Sequence, residues 1–197
     1  MSSGTGRSDR RLLAPFLVVA GLLGLWASFE LVLAKFATLD DADAVLGCDF
    51  SIVVQCGANL ASDQGAAFGF PNPLLGLAGF VAPVAVGVAL LAGARFARWF
   101  WLLFQLGVTG GMAFVLWLIG QSIYVLGTLC PWCMVVWAVM IPLFLALTLR
   151  NAAAGVFGDG LRRAGSYLLT WLVPLILTCY LIIALLAQLR LDVLRYL

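Results

Sequence analysis

The 197-residue chain is 64% apolar and only 10% charged, with 11 basic and 9 acidic residues and a net charge of +2. Soluble domains run at roughly 45–50% apolar and about 25% charged, so most of this chain needs lipid as its solvent. The small net charge gives no support to nucleic-acid binding, and the absence of histidine removes imidazole as acid, base or metal ligand.

A bilayer-crossing helix takes about 20 mostly apolar residues, and the sequence offers five such runs. The first, 12–34, follows the polar residues 1–11. Its basic flank suits a signal peptide, but its apolar core exceeds the usual run of about 7–15 residues, so a retained anchor is expected. The long segment 36–72 comes next. It is far more than a tight helical connection needs, and long ordered loops are usually functional. The second run, 74–94, is introduced by Pro71-Asn72-Pro73, with proline where a first helical turn accepts it. The third, 99–129, is long enough to tilt or to project beyond the lipid. The fourth covers 131–149. Residues 151–165, rich in small side chains, are expected to be a flexible connector to the fifth run, 167–189.

Lysine and arginine are retained on the cytoplasmic side of a membrane. With the N-terminus inside, Arg7, Arg10, Arg11, Arg95, Arg98, Arg150, Arg162 and Arg163 fall inside. Lys35, Arg190 and Arg195 fall outside, where the long loop also carries Asp40, Asp41, Asp43, Asp49 and Asp63. The expected topology is N-in, C-out.

That topology gathers four of the five cysteines on the outer face. Cys48 and Cys56 lie in the long loop as C-x7-C, and Cys130-Pro131-Trp132-Cys133 marks the junction of the third and fourth runs. Disulfides form and persist on that side. If Pro131 opens the fourth helix, Cys130 sits at its cap and Cys133 in its first turn, where unpaired N–H groups and the helix dipole favour a thiolate. A second pair on a mobile loop then makes a dithiol relay. Two structural disulfides in an outer cap are the competing reading. A four-cysteine zinc site is a third, weakened by a C-x7-C spacing that is wide for a zinc knuckle. Cys179, alone in the fifth run, reads as a small buried residue.

Several elements together resemble the vitamin K epoxide reductase family, specifically its bacterial disulfide-forming branch. They are Gly47-Cys48-Asp49, Val54-Gln55-Cys56-Gly57, Phe68-Gly69-Phe70-Pro71-Asn72-Pro73, and the stretch from Tyr124 through Cys130-Pro131-Trp132-Cys133. Similarity in order and spacing runs from about 12 to 149. The related disulfide-bond-forming protein B carries its C-x-x-C before its wider pair and matches less well. The resemblance implies an all-α integral membrane fold, with a four-helix bundle around a quinone pocket and a fifth, peripheral transmembrane helix. The organisation it implies is a cytoplasmic N-terminus (1–11), a catalytic core (12–150) containing the cysteine loop 36–72, a linker (151–166), and the fifth helix with a short outer tail (167–197).

It also implies roles. Cys133 faces the quinone, menaquinone or ubiquinone, and can form an adduct or charge-transfer contact with it. Cys130 exchanges with Cys56, and Cys48 exchanges with a thioredoxin-like partner. Asn72 matches an asparagine that hydrogen-bonds a quinone carbonyl, and Ser62 matches a loop hydroxyl near the site. Trp132 and Trp137, flanking the C-x-x-C, are candidate pocket residues. Vertebrate members carry a tyrosine where this chain has Trp137, which argues against vitamin K epoxide as substrate. Many bacterial relatives continue into a fused thioredoxin-like domain; this sequence stops at Leu197, so the partner is expected to be a separate protein. The chain is therefore expected to be a quinone-linked thiol–disulfide oxidoreductase of the bacterial inner membrane. The alternative is a small membrane transporter or assembly factor with two structural disulfides.

Thiol–disulfide exchange needs a thiolate and a good leaving thiol, so the missing histidine is no obstacle. Glu30, near the outer interface, is read either as a functional carboxylate or as a partner of Lys35. Gln121 is placed roughly 13 Å deeper than Cys130 by the helical rise of about 1.5 Å per residue, and reads as an interhelical hydrogen-bond partner in preference to a quinone ligand. Phe114 and Trp117 read as packing residues, and Gly107 and Gly111 as a close helix contact.

Overall fold

The computed structural model describes residues 5–41 and 45–195; Asp43 lies outside the described residues. Seven α-helices follow in order: α1 (Thr5–Asp40), α2 (Gly57–Ala61), α3 (Pro73–Leu91), α4 (Arg98–Gly120), α5 (Pro131–Ala153), α6 (Arg162–Leu169) and α7 (Leu172–Leu191). Five are long and apolar enough to cross a membrane: α1, α3, α4 with its extension to Leu126, α5 and α7. The fold is an all-α membrane bundle, with one isolated parallel bridge among the described residues.

The tightest contact joins α1 to α3, and small residues make it possible. A Cβ on Gly87 would lie 2.8 Å from the Ala14 carbonyl oxygen and 2.9 Å from the Val18 nitrogen. One on Gly21 would lie 2.9 Å from the Val84 nitrogen. Only glycine lets these backbones meet, as close packing between membrane helices demands. Helix α5 packs against α1 and α4, and its side chains Leu143 and Leu147 are fully enclosed.

A buried polar cluster ties α4 to α5 at the end away from the cysteines. The Gln105 amide donates to Thr148 Oγ1 at 2.8 Å and accepts from Asn151 at 3.1 Å. The Arg150 guanidinium lies over the Trp101 ring at 4.0 Å. With every partner present, such a cluster is tolerated inside an apolar bundle.

Helix α7 stands outside this core. The Tyr180 hydroxyl donates to the Ala138 carbonyl at 2.5 Å, linking it to α5, while Val173, Leu177, Leu181 and Leu189 face outward. The expectation of a fifth peripheral helix is met.

Three boundaries differ from the sequence reading. Helix α1 continues past residue 34 to Asp40, because nothing in Lys35–Asp40 breaks a helix once it leaves the lipid. The segment expected to be a flexible connector is instead the end of α5, a 3-10 turn at Asp159–Leu161, and α6. Helix α6 docks through Gly165, whose Cβ would come 2.5 Å from the Ala153 nitrogen. The fifth span begins at Leu172 rather than residue 167. Thr170 and Trp171 separate α6 from α7, and α7 starts afresh with Pro174 in its first turn, where a missing N–H costs nothing.

Candidate active site

The long loop is short of regular structure but not of constraints. Asp49 clamps it: Oδ1 accepts from the N–H of Cys56 at 2.7 Å and of Gly57 at 3.2 Å, and Oδ2 from Leu46 at 3.3 Å. A carboxylate at the start of α2 meets N–H groups that have no helical partner. At the other end of α2, the Lys35 ammonium donates to the Leu60 carbonyl at 2.7 Å, holding this short helix against α1. Cys48 and Cys56 are joined in a disulfide, with Cys48 6% and Cys56 0% exposed.

A second set of bonds joins this loop to the chain leading into α5. Gln55 donates its N–H to the Leu129 carbonyl at 3.0 Å, and Leu129 donates to Val53 at 2.7 Å, around a parallel bridge between Val54 and Leu129. The Asn59 amide donates to Thr128 Oγ1 at 2.8 Å, and the Ser122 hydroxyl donates to the Thr128 carbonyl. The strand-like pairing puts the residues that follow it, Cys56 and Cys130, side by side. Their sulfurs lie 3.5 Å apart.

Cys130 is the N-cap of α5 and Pro131 its first residue, as the sequence indicates; the Cys133 N–H donates to Cys130 Sγ at 3.3 Å. Cys130 and Cys133 are both free thiols. The Cys130 thiol is held below its ordinary pKa, chiefly by the side-chain hydrogen bond from Cys133; burial opposes this, and the backbone N–H groups of Cys133 and Trp132 assist it. The sulfur facing the disulfide is thus stabilised as a thiolate, which suits a thiol that is expelled when a neighbouring disulfide closes.

Below the cysteines lies a cavity of about 810 Å³ between α3 and α4, backed by α5 and reaching Trp99 at the far end. Cys133, Ser62, Asn72 and Trp137 line it. Trp132 does not. Its ring packs edge-on against Trp26 with centroids 5.1 Å apart, beside the buried cysteines. Ser62 and Asn72 reach the cavity but also hold the loop together. Ser62 Oγ accepts from Gly65 at 3.1 Å and donates to the Asn59 carbonyl at 2.8 Å. Asn72 accepts from the Ala67 N–H at 3.0 Å and donates to the Gln64 carbonyl at 2.6 Å.

Other expectations are redirected. Glu30 accepts from the Trp26 indole at 3.2 Å and does not pair with Lys35, which is committed to Leu60. Gln121 is not deep in the bundle. The α-helix gives way at Gln121–Leu126 to a π-helical turn, which Gly127 ends at φ 69°. The chain then folds back so that Thr128 bonds Ser122, which places Gln121 near the height of the C-x-x-C turn. A straight-helix count cannot anticipate that reversal. Phe114 joins the cavity wall and stacks on Trp117 at 5.8 Å. Asp49, Asn59, Ser122 and Thr128 were not singled out for these roles. An aspartate directly after one loop cysteine and a glycine directly after the other were the available signal for Asp49; the other three had none.

Cys48, Asp49 and Cys56 bring potential metal-ligand atoms within 4.8 Å of one another. The two sulfurs are spent on each other and the carboxylate on three N–H groups, so the arrangement is a clamped disulfide.

The family model described as the vitamin K epoxide reductase family matches residues 15–148, which contain all four of these cysteines. The chain belongs to the vitamin K epoxide reductase family. Family membership and the Cys48–Cys56 disulfide make it a membrane thiol–disulfide oxidoreductase. Among curated proteins and solved structures, nothing matches the chain.

Proposed function

We propose that this family member passes electrons from a separate thioredoxin-like protein through two cysteine pairs to a membrane quinone, and so supports disulfide formation outside the cytoplasm. One observation carries the reading: Cys130 Sγ sits 3.5 Å from Cys56 Sγ of the Cys48–Cys56 disulfide, while Cys133, within the next turn, opens onto the cavity. Two structural staples would leave neither feature a purpose.

In this reading the partner's thiolate attacks Cys48 Sγ and expels Cys56 as a thiolate. The partner's second thiol resolves the mixed disulfide, leaving oxidised partner and reduced Cys48. Cys56 then attacks Cys130 of a Cys130–Cys133 disulfide and releases Cys133 as a thiolate. Cys48 attacks Cys56 in turn, closing Cys48–Cys56 and leaving Cys130 reduced. Two electrons have moved from the loop pair to the C-x-x-C pair.

The cavity suits a quinone. Its volume lies in the range of roughly 300–1,000 Å³ common for small-molecule sites, and its walls include Phe80, Val86, Leu103 and Phe104, with polar groups gathered at the Cys133 end. When bound, a quinone supplies the two-electron, two-proton acceptor. Cys133 presents its sulfur to the cavity, and Trp137 closes the wall behind it. Charge supports an extracytoplasmic site: Arg98, Arg150 and Arg162 cluster at the end opposite the cysteines, and the positive-inside rule favours that end for the cytoplasm.

The test combines purified protein, a reduced thioredoxin-like substrate and a ubiquinone or menaquinone analogue. Partner-dependent quinone reduction is expected, abolished by Cys130→Ala or Cys133→Ala and retained in Cys179→Ala. Full turnover in the Cys133 variant would sink the relay.

A further inference from the structure

Gln121 opens the π-helical turn at the end of the third span. Its backbone N–H is satisfied by the Leu118 and Trp117 carbonyls. Its side chain lines the cavity and has no hydrogen-bond partner among the described residues. Every other polar side chain described above at this end of the cavity is spent on protein. Asn59 gives its amide to Thr128 and Gln55, Ser122 its hydroxyl to Thr128, and Ser62 and Asn72 theirs to the loop. Gln64 also has no side-chain bond, but it sits in the 3-10 turn Asp63–Ala66 of the loop, outside the spans, where water can solvate it. Gln121 faces an apolar cavity inside a span. A carboxamide facing an apolar wall without a protein partner lacks the hydrogen bonds it would make in water, and polar side chains within spans mark ligand paths. π-Helical turns likewise concentrate at functional sites.

We propose that Gln121 is a positioning residue whose carboxamide hydrogen-bonds a ring oxygen of the quinone and seats the ring against Cys133. This rests on the quinone reading above. The side chain suits both redox forms: Nε2–H donates to a quinone carbonyl, and Oε1 accepts from a quinol hydroxyl. The reversal at Gly127 brings this amide to the height of Cys130 and Cys133. The ring oxygen is therefore held at the level of the sulfur that delivers the electrons.

The experiment uses the full chain in nanodiscs with a short-tailed menaquinone analogue ¹³C-labelled at each ring carbonyl in turn. Infrared difference spectra read the hydrogen bond, and tryptophan quenching reads affinity. In the wild-type chain one carbonyl stretch should move to lower frequency. Gln121→Met, which nearly conserves volume, should abolish that shift and weaken binding roughly fivefold, the loss of about one neutral hydrogen bond. Gln121→Asn should retain a shift, because it keeps the amide. Exchange between Cys56 and Cys130 without quinone should be unchanged in both, which separates a lost contact from a lost fold. Wild-type shift and affinity in Gln121→Met would overturn the assignment alone. Failure of the wild-type chain to bind the analogue would overturn the quinone reading beneath it.

Discussion

Replacing Asp49 with alanine removes the acceptor that joins the turn at Cys48 to the start of α2. Three N–H groups lose a carboxylate: Cys56 at 2.7 Å, Gly57 at 3.2 Å and Leu46 at 3.3 Å. A hydrogen bond to a charged group contributes about 1.5–3 kcal/mol. Counting the short bond in full, the two longer ones at little, and discounting for the partial exposure of Asp49, the closed loop loses about 2 kcal/mol. At about 1.4 kcal/mol per tenfold, the closed–open equilibrium moves roughly thirtyfold toward open. Amide hydrogen exchange of a peptide spanning 45–60 reads this directly, because local opening governs the protection of the Cys56 and Gly57 amides. Exchange there should quicken roughly thirtyfold, while α1 and α5 core peptides keep their protection. Asp49→Asn keeps one oxygen for Cys56 and Gly57 and sets an amide against the Leu46 N–H, so it should fall between. Unchanged protection in Asp49→Ala, or faster exchange in Asn than in Ala, would refute the clamp.

In Cys133→Ala, Cys130 can still attack Cys56 and release Cys48; alkylating the released Cys48 blocks the return and should accumulate the Cys56–Cys130 disulfide, visible by mass spectrometry after acid quench. Its formation needs the Cys130 thiolate, and the Cys133 side chain is what chiefly depresses the Cys130 pKa. A lowered thiol pKa leaves thiolate present at lower pH, so the rate rises with pH and levels off below the ordinary thiol range. Cys133→Ala, which removes the largest cause of the depression, should move the midpoint up, whereas Cys133→Ser should hold it lower. Thr128→Val removes the hydroxyl that accepts from Asn59 and should slow Cys56–Cys130 exchange roughly fivefold, about 1 kcal/mol. Gly87→Val drives a side chain into the backbone of α1; a loss of about 1–3 kcal/mol should appear as a lower midpoint for thermal aggregation in detergent.

The spans were legible because lipid demands long apolar runs, and the cysteine pairs because the loop pair, the Gly69-Phe70-Pro71-Asn72 stretch and the later C-x-x-C stand in one order; Cys130-Pro131-Trp132-Cys133 by itself fits a staple as well. Boundaries set by side-chain chemistry were less so. Lys35–Asp40 is polar enough to read as loop, yet nothing in it opposes a helix. In α6, Tyr167, Leu168 and Leu169 merge by hydropathy with the run that follows, and only the packing of Gly165 on α5 and the break at Thr170 and Trp171 divide them. At the site, the contact between Cys56 and Cys130 rests on backbone bonds at Val53, Gln55 and Leu129, which carry no residue signature. Trp132 adjoins Cys133 in sequence, but the helix turns successive side chains about 100° apart, so one faces Trp26 and the other the cavity.

The Val54–Leu129 bridge has a consequence for how this site tolerates change. Its bonds run from main chain to main chain, so apolar residues other than proline that fit the buried positions 54 and 129 can still bring the sulfurs together. Chain length has no such latitude. One residue inserted between Leu129 and Cys130, or between Val54 and Cys56, would slide one sulfur past the other while leaving every cysteine, helix and charge in place. The meeting of the two sulfurs is kept by counting residues, and a single insertion would silence the proposed relay in a protein whose composition looked untouched.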